Sequence, residues 1–140
     1  MKVLFVCQGN VGRSQAAMEY YNQKLPGQAE SAGTAVDKPG EKIGERFGAA
    51  SILSAMQEHG IDMSDNERTP LTEEQINKFG KVIVMADPQA RPPYLADYPN
   101  VEYWDIEDAK DVSLEKAQMI RDQIKARVDD LIGRTQEQLP

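Results

Sequence analysis

The feature that most limits the fold of this chain is an apolar strand that passes through a glycine-containing loop directly into a helix. Lys2–Cys7 is short and mostly apolar, as is typical of a strand enclosed in a parallel sheet. Gln8-Gly9-Asn10 signals a turn, and Ser14–Lys24 has a helical composition that Pro26-Gly27 brings to an end. A strand joined to a helix in this way predicts an α/β fold.

The rest of the sequence continues the alternation of strands and helices. Further strands are predicted at Gln28–Ala32, Lys81–Met85 and Val101–Trp104. Further helices are predicted at Ala49–His59, at Thr72–Lys78 behind a capping box, and at Ser113–Gly133, with Gly133 as the end. We therefore predict a single domain over residues 1–140, an α/β fold in which a parallel sheet carries helices on both faces. Ligands of such sheets bind beyond the carboxyl ends of the strands, next to the turn after Val6.

The charge balance and the cysteine count narrow the classes of partner and of chemistry. Acidic residues outnumber basic ones by 23 to 16, and the formal net charge of −7 repels nucleic acid and anionic membranes. No apolar run approaches the roughly 20 residues that span a bilayer. We therefore expect a cytoplasmic protein with neither nucleic acid nor a membrane as its partner. Cys7 is the only cysteine and His59 the only histidine, so we expect no internal disulfide, metal or cofactor.

The loop after the first strand has the composition of a cradle for a tetrahedral oxyanion. Gly9 and Gly12 remove side chains that would block a tight curl, and Asn10 tolerates a left-handed backbone. Main-chain N–H groups in such a curl point inward, and the N-terminus of the following helix adds a positive dipole. Arg13 supplies a planar fork for two oxygens of the anion. The predicted oxyanion-binding residues are Gln8, Gly9, Asn10, Val11, Gly12, Arg13 and Ser14.

Cys7 lies at the floor of this predicted cradle. A helix N-terminus, a guanidinium group and nearby hydrogen-bond donors favour the thiolate form of a cysteine, and the Ser14 hydroxyl is placed to donate one further bond. A thiolate beneath a bound phosphoryl group suits in-line attack at phosphorus. The alternative, in which Cys7 is only a small apolar core residue, is disfavoured by the strand, loop and helix around it.

Several motifs together resemble a known family. Val6–Ser14 resembles the phosphate-binding loop of the low-molecular-weight protein tyrosine phosphatases and of the arsenate reductases that share their fold. Ser31-Ala32-Gly33-Thr34 resembles the second-strand motif of that family, whose serine braces the loop asparagine, and Gly60–Ser64 with Arg68 resembles a further family motif. The resemblance implies four parallel strands in the order 2-1-3-4. It also implies supporting roles for Asn10, Ser14 and Ser31.

The resemblance further implies which residue acts as the general acid. The family places an aspartate, normally followed by proline, in the loop after the last strand, and Asp108 matches that position. Ala109 stands where the proline would be, so we expect a more mobile loop. Asp105 is the main alternative acid. The predicted catalytic residues are Cys7, Arg13 and Asp108.

Three functions stay open at this point. The first is a cysteine-dependent phosphatase that hydrolyses a phosphorylated protein or a small phosphomonoester through a phosphocysteine intermediate. Phosphotyrosine specificity is left open, because Ala109-Lys110-Asp111 stands where the phosphotyrosine enzymes of the family carry aromatic residues.

The second and third functions use the same cradle. Trp104–Asp108, followed by a C-terminal helix containing Arg121–Ile124, resembles the ending of the arsenate reductase branch. Arsenate reduction requires electrons from thiols beyond Cys7, so such an enzyme would depend on an external thiol donor. The third possibility is a non-catalytic oxyanion-binding module, for which Ala109 is the only support.

Overall fold

The computed structural model describes residues 1–137 and the side chains of residues 1–135. Its centre is a sheet of four parallel strands in the spatial order β2-β1-β3-β4. The strands are β1 (Val3–Cys7), β2 (Ala29–Gly33), β3 (Lys81–Val84) and β4 (Val101–Tyr103). The predicted α/β class and strand order are confirmed.

Three α-helices cover one face of the sheet, and short 3₁₀ segments cover the other. The helices are α1 (Arg13–Lys24), α2 (Ala50–Gln57) and α3 (Leu114–Glu137). Their apolar side chains share one core with Phe5 and Ile83. On the opposite face, Ile76 and Leu95 from 3₁₀ segments pack against Val6. Within the described residues, no helix is both long and apolar enough to cross a bilayer.

Two predicted N-terminal helix caps are confirmed, and one predicted helix C-terminus is wrong. The Thr72–Gln75 capping box is present, with the Gln75 side chain accepting from the Thr72 N–H at 2.8 Å, and Ser113 Oγ accepts the Lys116 N–H at the start of α3. However, α3 does not end at Gly133, because the helix continues to Glu137. A helical glycine costs only about 1 kcal/mol relative to alanine, which flanking contacts can offset.

The contacts beyond Gly133 show what carries the helix past it. The Arg134 guanidinium lies 3.1 Å from a Glu102 carboxylate oxygen, and Thr135 Oγ1 donates to the Leu131 carbonyl at 2.9 Å. Hydrogen bonds from Arg134 and Trp104 outweigh the opposing effect of burial and lower the pKa of Glu102 to about 2. The carboxylate is thus a stable partner for the last turns of α3.

The position of β1 in the sheet determines where the site lies. Every residue of β1 is buried, and its last residue, Cys7, pairs with Gly33 at the end of β2. A Cβ atom on Gly33 would lie 2.7 Å from the Gln8 carbonyl and 2.9 Å from the Asn10 nitrogen, so glycine is required for this close approach. The loops that follow β1, β3 and β4 consequently meet at one edge of the sheet.

Candidate active site

The loop after β1, residues 8–12, forms a tight curl that leads into α1. Asn10 has a φ of 56° and is fully buried, as expected for the residue that reverses the chain direction. Within the described residues, the main-chain N–H groups of residues 8–14 donate to no other group of the protein. Unpaired main-chain donors at the N-terminus of a helix form a site for a tetrahedral anion.

The Cys7 sulfur ends a chain of hydrogen bonds whose direction is fixed. The Thr69 main-chain N–H donates to Asn10 Oδ1 at 2.7 Å, and because a peptide nitrogen only donates, this atom must be the amide oxygen. The Asn10 amide nitrogen then donates to Ser14 Oγ at 2.8 Å. Cys7 Sγ, 2.9 Å away, is the only acceptor that the described residues offer to the Ser14 hydroxyl hydrogen, so we assign the hydroxyl as the donor. The sulfur therefore accepts a hydrogen bond, which stabilises negative charge on it.

Arg13 is anchored by one of its guanidinium nitrogens. Nη1 donates to the Met85 carbonyl at 2.7 Å, just after β3, and to the Ile106 carbonyl at 2.9 Å, in the loop that follows β4. The side chain is only 2% exposed, and Asp87 Oδ1 lies 3.5 Å from the same nitrogen. Because both Nη1 hydrogens are used, the orientation of the guanidinium plane is fixed. Nε and Nη2 are the groups left to bind two oxygens of an anion.

A second buried guanidinium, that of Arg68, braces residues 8–14, the segment that we call the phosphate loop. Its Nε donates to the Gly9 carbonyl at 2.9 Å, and its Nη1 lies 2.7 Å from Asp37 and 2.8 Å from Glu41. Arg46 also contacts Asp37, at 3.1 Å. Hydrogen bonds from Arg68 and then Arg46 lower the pKa of Asp37 to about 2. This cluster joins the segment before α2 to the loop that follows Cys7.

The loop between β4 and α3, which we call the acid loop (residues 105–112), carries Asp108 at the mouth of the same site. Asp108 is 55% exposed, and its Oδ2 lies 4.0 Å from Arg13 Nη2. The next residue, Ala109, is buried, and the Cβ position of Gly12 lies 3.6 Å from its methyl group. This apolar contact restrains the loop at the position where the family has a proline. The greater mobility expected for the loop stays a prediction.

Two polar contacts fasten the C-terminal end of the acid loop. The Asp111 N–H donates to the Gly48 carbonyl at 3.1 Å, and Asp111 itself has a positive φ of 56°. Ser51 Oγ, on α2, donates to the Val112 carbonyl. The acid loop is thus connected to α2 and to the segment before it, while Asp108 stays partly exposed at the cleft mouth.

One cleft collects most of the predicted site residues. It encloses about 490 Å³, counting the part open to solvent. Its lining includes Cys7, Gly9, Val11, Gly12, Arg13 and Asp108. Asn10 and Ser14 lie buried directly behind it, where their hydrogen bonds reach the sulfur. Gln8 and the alternative acid, Asp105, are not part of the lining.

The predicted brace by Ser31 is wrong. Ser31 pairs with Phe5, two residues before the end of β2, and within the described residues no hydrogen bond joins it to Asn10. The Asn10 side-chain oxygen instead accepts from the Thr69 N–H and from Gln15 Nε2 at 3.1 Å. A main-chain donor from a distant loop leaves no side-chain signal, so a sequence motif could not reveal it.

Sequence reasoning missed Phe47 and Lys110 as parts of the cleft. Phe47 stands at the mouth and is 85% exposed, the largest exposure of any large hydrophobic residue described. Lys110 lies in the acid loop beside Asp108. A phenylalanine between arginine and glycine in a predicted loop was the signal available for Phe47. Across the described chain, no three His, Cys, Asp or Glu side chains are grouped to hold a metal.

Known proteins match this chain along almost its whole length. Glutaredoxin arsenate reductase from Synechocystis sp. is 29% identical over 134 residues, which cover 95% of this chain and 97% of the relative. Low molecular weight protein tyrosine phosphatase from T. tengcongensis has 29% identity and a TM-score of 0.76, covering 96% of this chain and 99% of its own.

A third similar protein, an arsenate reductase in the phosphate binding state, has a TM-score of 0.77 and 29% identity, covering 96% of this chain and 98% of its own. The similar proteins thus include both phosphatases and arsenate reductases, on one fold. The family described as low molecular weight phosphotyrosine protein phosphatase matches residues 2–140. With the loop, the helix N-terminus and the lone cysteine in the family arrangement, this chain belongs to the low molecular weight phosphotyrosine protein phosphatase family.

Proposed function

We propose that the protein is a cysteine-dependent phosphatase that hydrolyses phosphomonoesters through a phosphocysteine intermediate. The observation that carries this proposal is the directed chain of hydrogen bonds from Thr69 through Asn10 and Ser14 to Cys7 Sγ. A donor aimed at the sulfur, next to unpaired main-chain N–H groups, suits a nucleophile that lies directly below a bound phosphoryl group.

In the first step, the phosphoryl oxygens bind to the N–H groups of the loop and to Nε and Nη2 of Arg13. The Cys7 thiolate forms a bond to phosphorus while the bond from phosphorus to the ester oxygen breaks. Asp108, in its protonated form, gives its proton to that leaving oxygen. Its place at the cleft mouth supports this role, since a leaving group must lie opposite the attacking sulfur.

In the second step, the Asp108 carboxylate takes a proton from a water molecule, whose oxygen attacks the phosphorus. The bond between sulfur and phosphorus breaks, and the electron pair returns to Cys7, which again accepts the Ser14 hydrogen bond. Inorganic phosphate leaves, and Asp108 is protonated for the next turnover. No electrons from outside the protein are required.

Aryl phosphates are the substrate class that the cleft mouth favours. Phe47 presents a ring that is 85% exposed at the rim, and Val11, Ile52 and Ala109 give the cleft an apolar side. An aromatic leaving group can stack on such a ring, with a gain of about 0.5–1.5 kcal/mol beyond area burial. The rim aromatic thus comes from the segment before α2, not from the acid loop.

Arsenate reduction with an external thiol donor is the second candidate. It is favoured by the similarity over nearly the whole chain to a protein named glutaredoxin arsenate reductase. The cradle would hold arsenate in the same way, because arsenate has the shape and charge of phosphate. Cys7 is the only cysteine, so the reducing electrons would have to come from a separate thiol. A purely oxyanion-binding module is less supported, since the buried Ala109 anchors the loop that carries Asp108.

A side-by-side assay of two reactions tests these alternatives. We expect metal-independent release of phosphate from p-nitrophenyl phosphate, competitive inhibition by vanadate, and loss of turnover in Cys7→Ser. Activity that survives unchanged in Cys7→Ser would overturn the proposal. Formation of arsenite with glutathione and a glutaredoxin, without aryl phosphate hydrolysis, would assign the second candidate. The cytoplasmic location expected from the sequence stays a prediction.

A further inference from the structure

We propose that the site prefers phosphomonoesters that carry a second anionic group on the leaving-group side, recognised by Lys110. This inference rests on the proposed function and names the substrate class more narrowly. An aryl phosphate with a carboxylate on or next to its ring is the chemistry that fits. The argument depends on the charge of the cleft, on the pairing of each cation there, and on the position of the lysine stem.

The cleft is cationic in an otherwise acidic protein. Among the residues that the structure describes, four basic side chains and one carboxylate, that of Asp108, line it, whereas the whole chain has a formal net charge of −7. The basic residues are Arg13, Arg46, Arg68 and Lys110. Arg46 and Arg68 are paired with Asp37 and Glu41, so the positive charge that can attract an anionic ligand comes from Arg13 and Lys110. A phosphoryl group alone engages only the deepest of these cations.

Three of the four cations are already committed to groups of the protein. Arg13 is anchored to two carbonyl groups, and Arg46 and Arg68 share Asp37 and Glu41. The Lys110 ammonium group, by contrast, makes no ion pair or hydrogen bond with any residue that the structure describes. It is the cation of the cleft that is available for a new partner.

Lys110 lies at the rim of the cleft, next to Gly48. Its Cγ lies 3.0 Å from the position that a Cβ atom on Gly48 would occupy, and Gly48 has a φ of +91°. A larger residue at position 48 would displace the lysine stem. Lys110 thus lines the cleft together with Asp108, the residue proposed to protonate the leaving oxygen.

The expected size of the preference follows from the exposure of the contact. Ion pairs at exposed positions are worth about 0.2–1 kcal/mol, which corresponds to a change in affinity of about 1.5- to 5-fold. Salt weakens such pairs, and the screening length is roughly 10 Å at 0.1 M ionic strength and roughly 3 Å at 1 M. We expect an approximately threefold preference at low salt that disappears at high salt.

Binding of two non-hydrolysable probes to the Cys7→Ser protein tests the inference without relying on turnover. Dissociation constants of benzylphosphonate and 3-carboxybenzylphosphonate are measured by titration calorimetry at low and high salt. We expect the carboxylated probe to bind about threefold more tightly at low salt. The preference should be lost when Lys110→Gln is added and kept with Lys110→Arg. Lys78→Gln is the matched control, because Lys78 lies in a 3₁₀ segment on the opposite face of the sheet.

Two results would overturn the inference. One is equal affinity for both probes in the parent protein at low salt, and the other is a preference that persists with Lys110→Gln. Either result, combined with firm binding of benzylphosphonate, leaves the proposed function intact. Failure of benzylphosphonate to bind at all would contradict the oxyanion cradle and hence both proposals.

Discussion

The loop after β1 and the acid loop meet at one cleft but are held by different kinds of contact. In the phosphate loop, the functional side chains are buried and fixed by side-chain hydrogen bonds, as with Asn10 and Ser14. In the acid loop, the backbone is fastened at Ile106, Ala109 and Val112, while the Asp108 side chain at the cleft mouth is 55% exposed.

This difference matches two chemical tasks. A cradle for a charged group acts best when its donors are oriented before the anion arrives, which a buried network provides. A proton donor must reach leaving groups of different shapes and exchange protons with water, which an exposed carboxylate can do. The site therefore combines a phosphate loop that is oriented before the anion binds with an acid loop whose aspartate contacts solvent.

The largest expected loss of turnover comes from replacing Asp108, the proposed general acid of the acid loop. Asp108→Asn should lower kcat for phenyl phosphate by about 10²- to 10⁴-fold, since the leaving oxygen then departs without a proton. The loss should be smaller for p-nitrophenyl phosphate, whose leaving group needs less protonation. Steady-state rates with both esters provide the measurement.

Asp105→Asn is the matched control for that variant, since it removes the same charge from the same loop. We expect its turnover of phenyl phosphate to stay close to that of the unmodified protein. If Asp105→Asn lost more turnover than Asp108→Asn, the assignment of the acid would move to Asp105.

Removing the hydrogen-bond donor to the Cys7 sulfur tests the phosphate loop. Ser14→Ala should lower kcat for both esters by about 10- to 100-fold, because hydrogen bonds to charged groups are worth about 1.5–3 kcal/mol. The rate of Cys7 alkylation by iodoacetamide at pH 7 should fall as well. An unchanged alkylation rate would show that the Ser14 hydroxyl does not stabilise the charged sulfur.

Ser51→Ala tests the acid loop with the same chemical change. The variant leaves the Val112 carbonyl without its donor, and a neutral hydrogen bond of about 0.5–1.5 kcal/mol corresponds to a two- to tenfold effect. We expect a loss of turnover with phenyl phosphate and little change with p-nitrophenyl phosphate. Cys7 alkylation should be unaffected. Equal losses with both esters would indicate damage to the cradle and would contradict an effect of Ser51 confined to the acid loop.

The smallest effect concerns the brace behind the phosphate loop. Asp37 has a pKa of about 2 in the folded protein because Arg68 and Arg46 donate to it, against about 3.9 in an unfolded chain. The unfolded state therefore binds the proton more readily, and the stabilising contribution of Asp37 is lost as the pH falls from about 4 to about 2. Between these pH values, the melting temperature should fall less steeply for Asp37→Asn than for the unmodified protein. Parallel curves would contradict this linkage.

The parts of the molecule that local sequence determines were predictable. The apolar run Lys2–Cys7 and the glycines after it determine a strand, a curl and a helix within a few residues, so the cradle could be located by sequence alone. The end of α3 could not, because an ion pair between Arg134 and Glu102 supports the helix beyond Gly133. The decisive contact lies 32 positions away in the chain.

The surroundings of the cradle were harder to predict for the same reason. The Thr69 N–H that orients Asn10 and the Phe47 ring at the rim belong to loops whose positions depend on tertiary packing. Lys110 was visible only as a residue that replaced an aromatic one. Tertiary contacts pair Asp37 with Arg46 and Arg68 and leave Lys110 without an ion pair among the described residues.

The anchoring of Arg13 limits how this protein can be redesigned. Its Nη1 hydrogens connect the end of β3 to the acid loop, so any shorter or uncharged replacement leaves the Met85 and Ile106 carbonyls unpaired, at about 1–3 kcal/mol each. A mutant library randomised at position 13 would therefore yield poorly folded proteins before it yielded altered anion preferences. New specificity is better sought at Val11, which lines the cleft and is only partly buried against the core.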